Sequence, residues 1–173
     1  YTNFNSVLEK SKVNKVFKKF WFNHPLYILY SSGTTGVPKC ITHGAGNALI
    51  EHNKEFSLHC NISNSDKIFY YTTTGWMMWN WLIGGLSRGA TLYLYDGSPT
   101  YPCKDTLIKF CEKEKINLFG VSAKYIDYLK KENFNFNNLD LSNLKMIAST
   151  GSPLAKESFE FVYKNIKNDV HLN

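Results

Sequence analysis

Short apolar runs alternate with stretches of helical spacing along most of the chain. Five of these runs are predicted to be β-strands, because each is bounded by polar turn residues and is too short for a helix. They span residues 26–30, 68–72, 91–95, 117–121 and 144–148, and a further strand begins at Val170. Between the strands, apolar side chains recur at a helical spacing. The predicted helices cover residues 43–60, 75–87, 104–115, 123–132 and 155–167.

This regular alternation predicts an α/β fold, with a mainly parallel sheet and helices on both of its faces. Consecutive parallel strands are joined by right-handed crossovers, and the connecting helices pack on the sheet. The run 26–30 is predicted to be one of the buried strands. In open parallel sheets the ligand binds at the carboxyl ends of the strands. Functional residues are therefore expected in the loops that follow the strands.

The composition of the 173 residues is that of a soluble globular protein, with 43% hydrophobic and 20% charged side chains. The longest apolar stretch, 76–86, contains Asn80 and two glycines and is far shorter than the ~20 residues of a membrane-spanning helix. The net charge of +6 comes from basic residues dispersed along the chain. A solvated basic surface explains this pattern better than a nucleic-acid face does. We therefore expect neither a membrane span nor a nucleic-acid partner.

The spacing of the four cysteines predicts no metal site. No two of them make a Cys-x-x-Cys pair, and the histidines complete no zinc pattern. We interpret the cysteines as reduced, mostly buried thiols of an intracellular, cytosolic protein. They are Cys40, Cys60, Cys103 and Cys111.

Both ends of the chain are expected to lie inside a longer protein. The chain does not begin with methionine, and its last residues read as a strand that has just begun. Residues 1–25 are polar and rich in lysine and asparagine, and we interpret them as a lead-in segment to the first strand.

The most informative segment is the loop 31–39, which follows the first predicted strand and reads Ser-Ser-Gly-Thr-Thr-Gly-Val-Pro-Lys. Its glycines allow backbone N–H groups to converge on an anion. Its hydroxyls add donors, and Lys39 adds a positive charge. This composition predicts a polyphosphate-binding loop, and a plain surface loop is the less favoured alternative.

The loop is not a Walker A motif. That motif needs a glycine directly before the lysine, a serine or threonine directly after it, and an immediate helix. Here Pro38 precedes the lysine and Cys40 follows it. Proline removes a donor and disfavours helical geometry at Val37, so Lys39 is predicted to project from an extended loop.

Three segments together resemble the adenylate-forming superfamily, which includes the acyl-CoA synthetases. The string 30–39 is similar to the family's phosphate-binding signature, although Cys40 stands where many members have glycine. Residues 74–80, Thr-Gly-Trp-Met-Met-Trp-Asn, resemble the block that lines the acyl pocket. Residues 150–154, Thr-Gly-Ser-Pro-Leu, resemble the turn that flanks the adenine, with Ser152 in place of an acid.

The resemblance implies a role for each matching residue. The phosphates and the adenine would be bound by Ser31, Ser32, Gly33, Thr34, Thr35, Gly36, Lys39, Gly151, Ser152 and Pro153. Charge on the leaving pyrophosphate would be neutralised by a catalytic set made of Thr34, Thr35 and Lys39. The acyl pocket would be formed by Trp76, Met77, Met78 and Gly151. No metal ligand from the protein is implied.

The implied reaction has two steps, with ATP, Mg²⁺ and coenzyme A as small-molecule partners. A carboxylate attacks the α-phosphate of ATP to give an acyl-adenylate and pyrophosphate, and the thiol of coenzyme A then displaces AMP. Within the family, the blocks 71–80, 95–99 and 122–125 most resemble members that activate acetoacetate for lipid synthesis. Acetate or propionate is the alternative acid. A nucleotide-binding module without activity is the alternative function.

The family's ribose-binding acidic block and C-terminal lid are not among the matched segments. We therefore interpret residues 1–173 as part of an AMP-binding domain without its lid, and expect this piece alone to be inactive. The aromatic stripe after Gly75 is either plain core or acyl pocket. His43 lies either near the phosphates or the acyl carboxylate, or at a helix start in a structural role, while His52 and His59 are interpreted as structural.

Overall fold

The computed structural model describes residues 5–6, 9, 17–31 and 36–173. Four predicted phosphate-binding residues lie outside this range: Ser32, Gly33, Thr34 and Thr35. Part of the predicted lead-in 1–25 lies outside it as well. Residues 17–24 are irregular and lead directly into the first strand.

From residue 17 onward, the described part of the chain contains seven strands and five α-helices. The strands are β1 (Pro25–Tyr30), β2 (Cys40–Gly44), β3 (Lys67–Tyr70), β4 (Thr91–Tyr93), β5 (Leu118–Ser122), β6 (Met146–Thr150) and β7 (His171–Leu172). The helices are α1 (Ala45–Lys54), α2 (Met77–Gly84), α3 (Thr106–Glu114), α4 (Ala123–Lys131) and α5 (Lys156–Phe161). Short π- or 3₁₀-helical turns extend α1, α2 and α5, at Glu55–His59, Gly85–Arg88 and Val162–Ile166. No helix in these described ranges combines the length and the apolarity needed to cross a membrane.

Five of the strands form one parallel sheet, in the order β4-β3-β5-β6-β7. Four of these strands are the predicted runs after residue 60, with their boundaries moved by one or two residues. The fifth is the strand predicted to begin at Val170, which the structure places at the sheet edge beside β6. The predicted parallel α/β sheet is therefore confirmed.

Alternate residues of each strand point to opposite faces of the sheet. Phe69, Phe119 and Ile147 are paired across β3, β5 and β6 and pack under α3, α4 and α5. Their neighbours Ile68 and Leu118 face the other side, under α2 and the turn that ends α1. Helices therefore cover both faces, as predicted, and each face has its own hydrophobic core.

The first predicted strand is not part of the parallel sheet. It does form β1, but β1 pairs antiparallel with β2, a strand that the apolar pattern does not predict. Ile28 and Tyr30 are 55% and 71% exposed, so the prediction of a buried strand is wrong. A short apolar run has the same appearance in a central strand and in a hairpin strand, and its partner decides between them. The helix predicted from residue 43 accordingly begins at Ala45.

The cysteines are free, as expected, but the prediction that most of them are buried is wrong. Only Cys111 among the four is buried, in the core beneath α3. Cys60 is half-buried, while Cys40 and Cys103 are exposed, on the hairpin and in the turn before α3. Burial raises the pKa of Cys111 to about 12 and that of Cys60 to about 11, so both thiols are protonated at neutral pH.

Polar side chains tie together the amino ends of the parallel strands. Asn117, directly before β5, accepts a hydrogen bond from the Lys67 N–H through its Oδ1 at 2.8 Å. Asp66 is 2% exposed and accepts a hydrogen bond from Lys145 Nζ at 2.6 Å. It also accepts bonds from the N–H and the hydroxyl of Ser63, each at 2.8 Å. These contacts fix the edge of the sheet opposite to the one where ligands are expected.

Asp66→Asn is expected to destabilise the fold most strongly at neutral pH. Burial raises the pKa of Asp66, but the hydrogen bonds from Lys145 and Ser63 outweigh burial and hold the pKa below its ordinary value. Such a carboxyl group contributes stability that is present above about pH 4 and lost as the pH falls through its folded-state pKa. At pH 7 we expect a loss of about 1–2 kcal/mol, because Lys145 remains largely exposed. Urea unfolding at pH 7 and pH 3 tests this, and an equal loss at both pH values would contradict it.

Candidate active site

A cavity of about 920 Å³ opens between the β1–β2 hairpin, α1, α2 and the carboxyl ends of β3 and β6. Tyr30 lines it at the end of β1, directly before the predicted phosphate-binding loop. Thr150 lines it at the end of β6, directly before the predicted adenine turn. Its volume is that of a small-molecule site. The cavity therefore lies where the loops predicted to carry function come together.

Helix α2 forms the apolar wall of the cavity. It is apolar around most of its circumference, which is typical of a helix packed on more than one side. Met77, Met78 and Trp81 line the cavity from the first turns of the helix. Met78 is 7% exposed, and Trp81 packs edge-on against Tyr70 with ring centroids 5.8 Å apart. Two residues of the predicted acyl pocket thus lie in the cavity wall.

The other two residues of the predicted acyl pocket, Trp76 and Gly151, meet each other beside the cavity. Gly151 follows β6 directly and has a φ of +93°, in the left-handed region that favours glycine. A Cβ built on Gly151 would lie 3.7 Å from the Trp76 ring, so the turn passes close to that ring. Trp76 in turn packs edge-on against Tyr70, with ring centroids 6.0 Å apart. The next two residues of the predicted adenine turn, Ser152 and Pro153, are exposed.

The predicted phosphate-binding loop is closed at its base by two hydrogen bonds between its first and last residues. The Ser31 N–H donates to the Lys39 carbonyl at 3.0 Å, and the Lys39 N–H donates to the Ser31 hydroxyl oxygen at 3.1 Å. Both bonds use the backbone of Lys39, whose side chain is exposed, as is Gly36. The loop therefore starts and ends on the hairpin that forms one wall of the cavity.

Helix α1 forms a polar wall of the cavity. Its His52 lines the cavity and packs against Gly84 of α2, where a Cβ would lie 2.3 Å from the imidazole Nδ1. Burial lowers the pKa of His52, although the nearby charges of Glu51 and Glu55 raise it, so the ring is neutral at pH 7. The contact with Gly84 agrees with the structural interpretation of His52. In addition to this structural contact, His52 lines the cavity.

Several residues of the cavity wall are either left open by the sequence analysis or absent from its predicted site. His43, left open between two roles, lines the cavity and lies against Tyr27 with ring centroids 5.3 Å apart. His52 and the rest of the α1 wall carry only a helical spacing, which does not distinguish a cavity wall from a surface. The sequence does single out Asn80, because it is the one polar side chain in the apolar stretch 76–86. The structure places this side chain in the cavity wall.

A second cavity, of about 440 Å³, lies on the same edge of the sheet, at the carboxyl ends of β3 and β4. It is lined by Tyr71, Trp79, Tyr95 and residues 72–74. Of the predicted site residues within the described ranges, none lines this second cavity. The first cavity is therefore the candidate active site.

The chain is similar to known proteins along nearly its whole length. Residues 3–172 match the family described as AMP-binding enzyme. The chain is 54% identical to acetoacetyl-coenzyme A synthetase of Rhizobium meliloti, over 91% of the chain and 24% of that protein. It is 44% identical to a malonamoyl-CoA synthetase of Penicillium aethiopicum, over 86% of the chain and 23% of that protein. The structure of acetoacetyl-CoA synthetase from Streptomyces lividans superposes with a TM-score of 0.88 at 40% identity, over 96% of this chain and 26% of that one.

The chain spans about a quarter of the length of these relatives. Within that span, the family match extends over nearly every residue and includes the hairpin, the parallel sheet and every residue that lines the cavity except Asn173. The chain therefore belongs to the AMP-binding enzyme family.

Proposed function

We propose that the protein activates acetoacetate to acetoacetyl-CoA through an acyl-adenylate, with the first cavity as its acyl pocket. The observation that carries the proposal is the set of residues that meet there. Tyr30 leads into the phosphate-binding loop, Met77 and Met78 belong to the acyl block, and Thr150 leads into the adenine turn. An acid held in this cavity has its carboxylate near the position expected for the α-phosphate of ATP, which is the arrangement that the first step requires.

The acid is a short one with a carbonyl group at C3. Two relatives are named for such acyl groups, acetoacetyl and malonamoyl. Both groups carry a carbonyl two bonds from the thioester carbon, and they differ in a terminal methyl or amide. The cavity wall combines methionine and tryptophan with amide and imidazole side chains. This combination suits an acid with an apolar end and a polar middle.

The chemistry of the first step is assigned to the loop 31–39 and the turn 151–153. Pyrophosphate leaves with a large negative charge, so a rate gain comes from positive charge and donors placed around it. We assign this role to Lys39 with Thr34 and Thr35, and phosphate binding to the remaining hydroxyls and glycines of the loop. Gly151, Ser152 and Pro153 flank the adenine in this proposal.

ATP and coenzyme A are the other substrates, and we assign Mg²⁺ to the triphosphate of ATP. Hard cations prefer oxygen ligands such as those of phosphates. Within the described ranges, no three His, Cys, Asp or Glu side chains are grouped as metal ligands. In the second step the sulfur of coenzyme A bonds to the acyl carbon, and the bond from that carbon to the phosphate oxygen breaks to release AMP. We further propose that the complete protein acts in the cytosol and supplies acyl units for lipid synthesis.

The experiment that tests the proposal is ATP–pyrophosphate exchange by the complete polypeptide that carries residues 1–173. Acetoacetate, acetate and propionate are compared, with no acid as the blank. We expect exchange with acetoacetate to exceed exchange with either other acid, and added coenzyme A to give AMP and acetoacetyl-CoA by mass spectrometry. A preference for acetate or propionate would assign a different acid to the same chemistry. Exchange with none of the three would overturn the proposal.

Met78→Ala is expected to shift the acid preference toward longer chains. Met78 is 7% exposed and lines the cavity, so its truncation enlarges the acyl pocket. One methylene of fit changes kcat/KM about 10- to 200-fold, and we expect the ratio of hexanoate to acetoacetate to rise at least about tenfold. Met146→Ala is the matched control, because Met146 is buried on the same face but does not line the cavity. An unchanged ratio in Met78→Ala would contradict the placement of the acyl group.

A further inference from the structure

Asn80 places a polar side chain in the otherwise apolar wall that α2 gives to the cavity. It lies three residues after Met77 and one before Trp81, and all three line the cavity. Residues three or four apart on a helix share a face, so the amide follows Met77 along the same wall. Asn80 also lines a smaller cavity of about 210 Å³ together with His52. The Asn80 side chain therefore stands at the junction of α1 and α2.

The hydrogen-bonding capacity of this amide is unused in the structure. Across the described residues, no side-chain hydrogen bond involves Asn80, which is half-buried. Asn53 on the neighbouring helix differs, because its Nδ2 donates to the Leu49 carbonyl at 2.9 Å. The Asn80 amide atoms are not among the buried side-chain atoms that lack a partner, so water can bond them until a ligand with a matching acceptor takes its place. Asn80 thus has the property expected of a group that contacts substrate.

We propose that the Asn80 Nδ2 donates a hydrogen bond to the C3 carbonyl of the bound acid and so sets the preference for 3-oxo acids. This inference rests on the proposed function. Helix α2 begins beyond the carboxyl end of β3, near the turn at Gly151, and runs back along the sheet. Asn80 therefore lies deeper than Met77, by about 4.5 Å at 1.5 Å per residue. That depth suits a carbonyl two bonds beyond the carboxylate.

The other polar groups on the α1–α2 side of the cavity are less suited to this role, and the other neutral amide there, Asn47, is exposed where Asn80 is half-buried. Glu51 and Glu55 are carboxylates that accept hydrogen bonds but do not donate them, and both are paired with Lys54, at 2.8 and 3.1 Å. The His52 ring lies with its Nδ1 edge against Gly84. The Asn80 amide is a neutral donor, which recognises a carbonyl oxygen without attracting the carboxylate to the wrong end of the pocket.

The test compares acetoacetate with butyrate, in which a methylene replaces the C3 carbonyl. Both acids are assayed by ATP–pyrophosphate exchange with the complete polypeptide and its Asn80→Leu variant, which keeps the side-chain size and removes the donor. We expect kcat/KM for acetoacetate to fall about tenfold, the effect of one neutral hydrogen bond. We expect kcat/KM for butyrate not to fall, because butyrate has no carbonyl for the amide to bond and leucine suits its methylene at least as well. Asn165→Leu is the control, because Asn165 is exposed in the turn after α5, across the sheet from the cavity.

The two acids separate recognition from structural damage. Retained activity on butyrate shows that Asn80→Leu is folded. If leucine prevents folding, Asn80→Ala gives the same comparison, because alanine cannot overpack the cavity. An equal fall with both acids, or no fall with acetoacetate, would overturn the role of Asn80 and leave the proposed function standing. A wild-type protein that exchanges pyrophosphate with neither acid would instead overturn the proposed function, and this inference with it.

Discussion

Gly120→Val is expected to destabilise the parallel sheet severely. Gly120 lies in β5, directly opposite Tyr70 of β3, and a Cβ built on it would lie 2.0 Å from the Tyr70 ring. The ring has no room to move, because Trp76 and Trp81 pack against it and its hydroxyl donates to the Val121 carbonyl at 3.3 Å. We expect a loss of more than about 3 kcal/mol in unfolding free energy, a large part of the stability of a typical domain.

Soluble yield and urea unfolding measure this effect. Gly75→Ala is the matched control, because the nearest atom to a Cβ there, the Thr73 hydroxyl oxygen, is 4.0 Å away. Gly75 is exposed, and we expect its alanine variant to unfold within about 0.5 kcal/mol of the wild type. Wild-type stability in Gly120→Val would mean that the core around Tyr70 is not packed as described.

Lys39→Ala is expected to lower acetoacetate-dependent pyrophosphate exchange about 100- to 1,000-fold. In the proposed function, Lys39 neutralises charge on the leaving pyrophosphate, and loss of one such group typically costs this much in rate. The fold should not suffer, because the backbone of Lys39 makes the two bonds to Ser31 and its side chain is exposed. We therefore expect kcat to fall while the melting temperature stays at its wild-type value.

Lys131→Ala provides the control for this charge change. Lys131 is exposed in the last turn of α4, on the face of the sheet opposite to the cavity. Both variants lose one positive charge, so a general electrostatic effect would lower exchange in both. Equal rates in Lys39→Ala and Lys131→Ala would exclude Lys39 from the reaction.

The parallel sheet is predictable because its strands obey a local rule. Each of the four runs after residue 60 is short, apolar and followed by helical spacing. In β3, β5 and β6, burial on both faces produces that pattern. Phe69 and Phe119, for example, are apolar because they lie under α3 and α4, and their neighbours are apolar because they lie under α2. The apolar pattern of these strands therefore indicates their burial directly.

The hairpin is less predictable, because its structure depends on a partner segment. The apolar residues of β1 match those of a central strand, yet its one strand partner among the described residues is β2, across the loop 31–39. The segment Cys-Ile-Thr-His-Gly of β2 has one strongly apolar residue, Ile41, and gives no strand pattern by itself. Its strand geometry comes from the ladder of backbone hydrogen bonds to β1, for which side-chain patterns are a weak guide.

The residues of the candidate site also differ in how well the sequence predicts them. Met77, Met78, Trp76 and Gly151 are predicted through the resemblance of residues 74–80 and 150–154 to blocks of the family, because an apolar stripe at helical spacing is by itself equally typical of a core. The sequence does not predict the wall formed by α1, because His52 lines the cavity only as a result of the packing of α1 on Gly84 of α2. Contacts between helices that are distant along the chain leave no periodic signal in either one.

The most direct test of the central claim is a structure of the complete polypeptide with a non-hydrolysable acetoacetyl-adenylate analogue. The acyl group has two cavities available on this edge of the sheet, of about 920 and 440 Å³. We predict that it lies in the larger one, against Met77 and Met78, with the adenosine beside the turn at Gly151. An acyl group in the smaller cavity, against Tyr71 and Tyr95, would contradict the assignment of the active site.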